Sequence, residues 1–206
     1  MKKSIDLLLA GTGGQGIILA SNLLGEVAME SGYDVKKSDV LGMAQRGGAV
    51  VSHVRLGDNV RSPLAQKGKV DVILSLEMLE AARWVEYLRP EGYAVVNEQC
   101  VLPVSVTSGY ATYPSRGQIE ELLKARTSRF YYVDALAIAL DLGNRNVINL
   151  VLMGFLSHLL PIDADRWEKG ISQRVPSKFR ELNLEAFRQG RTVAMRIVGS
   201  NIDKLG

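Results

Sequence analysis

The chain has 206 residues, 47% hydrophobic and 23% charged, with a net charge of +3. That length buries one sizeable core but not two large ones, and the composition excludes disordered and fibrous classes. Its basic residues Arg83, Arg89, Arg116 and Arg126 stand among Glu80, Glu86, Glu91, Glu120 and Glu121, which reads as solvated helix surface and not as a nucleic-acid face.

Met1-Lys2-Lys3 runs straight into Ser4-Ile5-Asp6, and the apolar run Leu7 to Ala10 stops at Gly11. Neither a signal peptide nor a transmembrane span fits, so a cytoplasmic protein with no membrane partner is expected. Ile5 to Ala10 is nearly all apolar and suits a strand buried on both faces of a parallel sheet. Ile17, Ala20, Leu24, Val27 and Ala28 then recur at helical spacing, with Ser31-Gly32 as the stop, and Tyr33 to Ser38 reads as a second strand.

Ala49 to Leu56 is rich in β-branched residues and meets Gly57-Asp58-Asn59, a turn signal that predicts a hairpin returning through Val60-Arg61. Val70 to Leu76 is a buried-type strand. Glu77 to Leu88 follows as a helix with Leu79, Ala82, Val85 and Tyr87 or Leu88 inward, stopped by Pro90 and Gly92. Tyr93 to Asn97 is a strand, Ser115 caps a helix over Gln118 to Ala125, and Arg129 to Asp134 is the last strand. Gln99 to Pro114 shows no clear period. Beyond Ala135 the pattern is helical, through Val147 to Leu160, Asp163 to Arg174 and Leu184 to Ile197.

The expectation is one domain over 1–198. It comprises an α/β core over 1–142, Rossmann-like and doubly wound on a mostly parallel sheet with a β-hairpin, and a helical C-terminal extension over 143–198; 199–206 is a tail.

Gly11-Thr12-Gly13-Gly14-Gln15-Gly16 lies between the first strand and the first helix, where glycines let the backbone turn tightly and aim N–H groups at an anion. A tight turn with no ligand would use the same residues, although four glycines in six exceed what a turn requires. Ile17-Ile18 stand where a P-loop needs its Lys and Ser or Thr, which excludes that motif. Asp39 lies at about the ~20-residue distance at which a dinucleotide fold places its ribose carboxylate, and it could equally be a strand-end surface acid. In the segment Ser38 to Arg55, Gln45 and Arg46 precede Gly47-Gly48, so an amide and a guanidinium can reach a phosphate, a carboxylate or a facing chain. An ordinary Arg–carboxylate pair is the plainer account.

The remaining candidates read as structural. His53 in mid-strand has no second His or Cys nearby, and His158 sits in an apolar helix, so each is expected to pack with one satisfied hydrogen bond. Ser75 and Glu77 end a strand at the sheet edge where ligands gather, and Ser75 could instead cap a helix. The single Cys100 cannot ligate an iron–sulfur cluster or a structural zinc by itself.

Several stretches together resemble the gamma-type chain of pyruvate/2-oxoacid:ferredoxin oxidoreductases. They are GTGGQG, SDVLGMAQRGGAVVSHVRLG, Ser62-Pro63-Leu64, DVILSLE from Asp71 to Glu77, the NEQ at Asn97, and RVPSKFRELNLEAFRQGR from Arg174 to Arg191. The pattern is most similar to the small subunit of the indolepyruvate type and spans about the whole chain.

The resemblance implies a complex that decarboxylates a 2-oxoacid on thiamine diphosphate, passes two electrons through [4Fe-4S] clusters to ferredoxin and releases an acyl-CoA. Thiamine diphosphate, magnesium and clusters would belong to a large partner subunit, and the chain alone would be inactive. A homodimer is the expected alternative partner of the isolated chain. Gly57-Asp58-Asn59 lacks the Gly after Asp that the family's thiamine–magnesium motif needs. Candidate ligand-binding residues are Gly11, Gly13, Gly14, Gln15, Gly16, Gln45, Arg46, Gly47 and Gly48, with CoA as the ligand class. A stand-alone NAD(P)-binding reductase using Asp39 and a non-catalytic scaffold are the competing readings.

Overall fold

Strand β1 (Ile5–Thr12) is buried at every position, because it lies in mid-sheet with helices on both faces. The computed structural model describes residues 4–42, 48–199 and 205. After β1 come α1 (Ile17–Glu30), β2 (Asp34–Leu41), β3 (Ala49–Gly57), β4 (Val70–Ser75), α2 (Met78–Trp84), β5 (Leu88–Asn97), α3 (Val104–Thr107) and α4 (Arg116–Lys124). The chain continues through β6 (Phe130–Val133), α5 (Ala135–Asp141), α6 (Ile148–Leu159), α7 (Ala164–Arg174) and α8 (Arg180–Val198).

The six strands form one sheet in the order β2-β3-β1-β4-β5-β6. β4, β5 and β6 run parallel to β1, whereas β3 is antiparallel to both of its neighbours. The doubly wound, mostly parallel sheet expected from the sequence is present, with one reversed strand.

Alternation along β1 separates two cores. Ile5, Leu7 and Leu9 face residues of α1, α5, α6, α7 and α8, among them Leu24, Phe155, Trp167 and Phe187. Leu8 and Ala10 face Ala81 of α2 and Ile119 and Leu123 of α4. The C-terminal helical segment is present, and α6 buries Val151 to Leu159 without a break as part of the larger core. A helix apolar on every side needs such a central position.

Three expectations are corrected. No strand returns after Gly57-Asp58-Asn59; the Val60 N–H bonds instead to Asp34 Oδ2 at 2.7 Å. The hairpin is β2 with β3, paired from Asp34↔Gly57 to Leu41↔Val50. The helix expected over Glu77 to Leu88 ends at Trp84, and after a 3₁₀ turn Leu88 already pairs with Val70. Its fully buried positions are Glu80 and Ala81, while Ala82 and Val85 pack half-buried against the core and Leu88 is buried at the start of β5, as expected.

Two of the arginines read as solvated are engaged. Arg126 donates through Nε to Leu88 O. Arg89 lies on β5 and reaches Asp71 at 2.7 Å. The expected cap is confirmed: Ser115 and Gln118 form a reciprocal capping box on α4.

Candidate functional site

The glycine turn sits at the carboxyl end of β1, beside the carboxyl ends of β4 and β5. Gly14 and Gly16 hold φ of 100° and 79°, left-handed values that favour glycine. Gly16 is the N-cap of α1 and offers no side-chain cap, so the first-turn N–H groups of α1 face the space beyond the turn. The Gly13 N–H donates to Gly48 O at 2.8 Å, which ties the turn to the start of β3. Gln45, Arg46 and Gly47 lie outside the described residues.

Gln15 is placed beneath the turn and is spent within the fold. Its Oε1 accepts from the Thr12 N–H at 2.7 Å, and its Nε2 donates to Leu76 O and Gln99 Oε1, each at 3.1 Å. Asn97 Nδ2 donates to the same Leu76 O at 3.1 Å and to Gln99 Oε1 at 3.3 Å. A Cβ on Gly11 would stand 2.7 Å from Gln15 Oε1, so a side chain there would push that amide out of its bonds. This network stiffens the turn from below and leaves the upper face to the backbone N–H groups.

Above the turn lies a cleft of about 570 Å³ lined by Gly14, Gln15, Gly16, Gln99, Arg145 and Asn149, among others. Arg145 is exposed at its rim and has no salt-bridge partner among the described residues. Asn149 approaches closely enough that a Cβ on Gly16 would meet its Nδ2 at 2.2 Å. A second, mainly apolar cavity of about 350 Å³ opens beside it and shares Leu19, Asn146 and Asn149. Sequence reasoning missed Arg145 and Asn149, and it marked Gln99 only as part of the NEQ motif. The available signal was Asn144-Arg145-Asn146, a polar triplet just before the apolar helix α6.

The other candidates lie elsewhere. Asp39 accepts from Ser52 Oγ at 2.6 Å and pairs with Lys37 at 3.0 Å. It stands on β2, which β3 separates from β1. Two strand spacings, about 9.6 Å, therefore lie where a dinucleotide fold has one. The carboxylate of the NAD reading is thus both occupied and displaced.

Ser75 does not cap α2; its Oγ donates to Glu77 O at 2.6 Å. Buried Glu77 is the cap, accepting from Glu80 N at 3.0 Å, Val101 N at 3.1 Å and the Tyr113 hydroxyl. Burial, followed by the Glu77 carboxylate, drives the Tyr113 pKa far above the usual phenol range.

His53 Nδ1 accepts from Ala65 N at 3.3 Å, and burial holds its pKa below the usual 6.5. His158 Nε2 lies 2.9 Å from Gly199 O. Both match the structural role expected of them. Among the described residues no group of three or more His, Cys, Asp or Glu is placed to hold a metal, and no helix is long and apolar enough to cross a membrane.

Fold and cleft together define a Rossmann-like domain that presents a glycine turn and an uncapped helix N-terminus at the carboxyl edge of its sheet. The chain belongs to the pyruvate ferredoxin/flavodoxin oxidoreductase family, whose model matches residues 6–193. It is 38% identical over 199 residues to the indolepyruvate oxidoreductase subunit IorB of Pyrococcus horikoshii, covering 95% of this chain and 98% of that one. It is 26% identical over 188 residues to the pyruvate/ketoisovalerate oxidoreductases common subunit gamma of Pyrococcus furiosus, covering 90% of this chain and 94% of that one. Among solved structures, the keto/oxoacid ferredoxin oxidoreductase gamma subunit of Geobacter sulfurreducens superposes with a TM-score of 0.69 at 25% identity, covering 93% of this chain and 99% of that one.

Proposed function

We propose that this chain is the small subunit of an indolepyruvate-type 2-oxoacid:ferredoxin oxidoreductase. The complex converts an aryl 2-oxoacid, CoA and two oxidised ferredoxins into an acyl-CoA, carbon dioxide, a proton and two reduced ferredoxins. The observation that carries this reading is collinear similarity to an IorB subunit over nearly the full length of both chains, stronger than that to a gamma subunit of the pyruvate/ketoisovalerate enzymes.

Thiamine diphosphate, magnesium and the [4Fe-4S] clusters belong to a large partner subunit in this reading. One exposed cysteine, Cys100, cannot supply the four thiolates that such a cluster requires. In this reading the assembly works in the cytoplasm, beside ferredoxin.

The chain's own contribution is to hold CoA. A CoA phosphate fits over Gly14 and Gly16, where the first-turn N–H groups of α1 attract an anion, and Arg145 at the rim adds a fixed positive charge. No residue of the cleft is required to exchange a proton; Gln15 and Gln99 keep the turn in shape. The loop after β5 exposes Leu102, Val104 and Tyr110 at the same edge of the sheet and offers apolar area to the partner subunit.

Calorimetry with CoA, NAD and NADP on the chain and on the complex tests the assignment. CoA alone should bind, and Arg145→Ala should weaken it by roughly 10-fold, the loss of one charge-assisted hydrogen bond of about 1.5 kcal/mol. Micromolar NAD binding would restore the reductase reading. If Gly14→Val changed only affinity for the partner subunit, the turn would be an assembly surface.

A further inference from the structure

The chain ends its sheet on β2, which is hydrogen-bonded to β3 on one side and has no neighbour on the other among the described residues. The direction of its backbone groups follows from one bond. The Gly42 N–H donates to Ala49 O at 2.8 Å, so the even-numbered residues of β2 turn their N–H and C=O toward β3. Val35, Lys37, Asp39 and Leu41 therefore present an open row of donors and acceptors at the outer edge. Leu41 is 65% exposed and Val40 47%, an uneconomical place for two aliphatic side chains.

We propose that β2 is the contact between two copies of this chain, joined antiparallel about a two-fold axis at Ser38 so that their sheets become continuous. Residues directly opposite each other in an antiparallel pair share a face, so a symmetric register must join positions of the same parity. Two registers use most of the strand. One, centred on Lys37, sets that lysine against its own copy, and like charges directly opposite repel. The other, centred on Ser38, sets Lys37 against Asp39 and Val35 against Leu41, twice each by symmetry.

The second register is complementary in charge and covers the exposed leucine. Its four outward residues exchange both backbone bonds with their counterparts. Lysines usually guard an edge strand against such pairing. Here Lys36 is compensated by Asp34 at 2.8 Å and Lys37 by Asp39 at 3.0 Å, so the strand carries no uncompensated charge into the contact. Because β3 lies between β2 and β1, the join leaves the glycine turn and its cleft open. The inference does not rest on the proposed function.

The test uses the purified full chain. Sedimentation equilibrium should give twice the 22.5 kDa of the monomer. In a Cys100→Ser background, Ser38→Cys should form a disulfide-linked dimer on mild oxidation, because its non-hydrogen-bonded pair across the axis lies about 4.5 Å apart between Cα atoms. Val40→Cys in the same background faces Lys36 and should stay unlinked. Lys37→Asp should raise the dimer Kd at least ~10-fold, since it opposes two carboxylates, and Lys37→Asp with Asp39→Lys should restore it. A monomer up to millimolar concentration would overturn the proposal. So would a dimer that links Val40→Cys as readily as Ser38→Cys, or one indifferent to Lys37→Asp while the variant remains folded.

Discussion

Gln15 joins three strand ends through one amide, reaching Thr12, Leu76 and Gln99. Gln15→Ala leaves those groups to find water in a half-buried site, and the expected cost is about 2 kcal/mol, read as a lower denaturant midpoint with an unchanged m-value. The sequence marks Gln15 as a donor beside an anion site, because type and position fit that role; only the tertiary contacts with β4 and β5 show that the amide is already used. Arg145 is the converse case. It lies far from the glycine turn in the chain and enters the cleft only because α6 returns beneath α1, so no local pattern announces it.

His53 gives a pH prediction. Burial lowers its folded pKa, so below 6.5 the unfolded chain takes up a proton that the native chain resists. That contribution to stability is intact above 6.5 and is lost as pH falls from there toward the folded value. His53→Gln keeps an acceptor for the Ala65 N–H and should flatten the slope of unfolding free energy between about pH 7 and 5. An unchanged slope, measured by urea titration across that range, would show that other groups dominate.

Among elements, α6 and α8 pack closely because each contributes a glycine to the contact. A Cβ on Gly154 would meet Phe187 O at 2.0 Å, and one on Gly190 would meet Val151 O at 1.9 Å. Both obstacles are backbone atoms, which cannot rotate aside. Gly154→Ala and Gly190→Ala should therefore each destabilise the chain by about 3 kcal/mol, despite the higher helix propensity of alanine. Thermal unfolding checks this: raised midpoints would mean that the helices separate at little cost.

The elements themselves were mostly legible. Buried strands announce themselves by continuous apolar runs, and the Ser115 cap by its glutamine partner three residues on. The hairpin was misplaced because Gly57-Asp58-Asn59 carries turn chemistry that a hairpin and a plain loop share. Apolar periodicity places Ala82 and Val85 against the core, but it cannot foresee that Glu80 is buried beside them.

For the whole molecule, the order β2-β3-β1 separates this domain from a dinucleotide-binding sheet. A glycine turn after β1 and an acid about twenty residues on satisfy the dinucleotide pattern in sequence, yet the inserted antiparallel β3 moves Asp39 out of reach. Strand order is a long-range property, and one-dimensional spacing does not encode it. What the sequence did carry at this scale was the family, through motifs spread from Gly11 to Arg191.

The pure chain should contain neither iron nor thiamine diphosphate after reconstitution; stoichiometric iron by metal analysis would contradict the assignment. The role as an indolepyruvate-type small subunit is tested most directly by purifying the complex through a tag on this chain and measuring CoA-dependent reduction of a viologen with indolepyruvate, phenylpyruvate, pyruvate and 2-oxoglutarate. The expected result is turnover with the aryl acids, at a kcat/KM at least ~10-fold above the other two, and none from the isolated chain. Equal or higher turnover with pyruvate or 2-oxoglutarate, or activity from the chain alone, would contradict it.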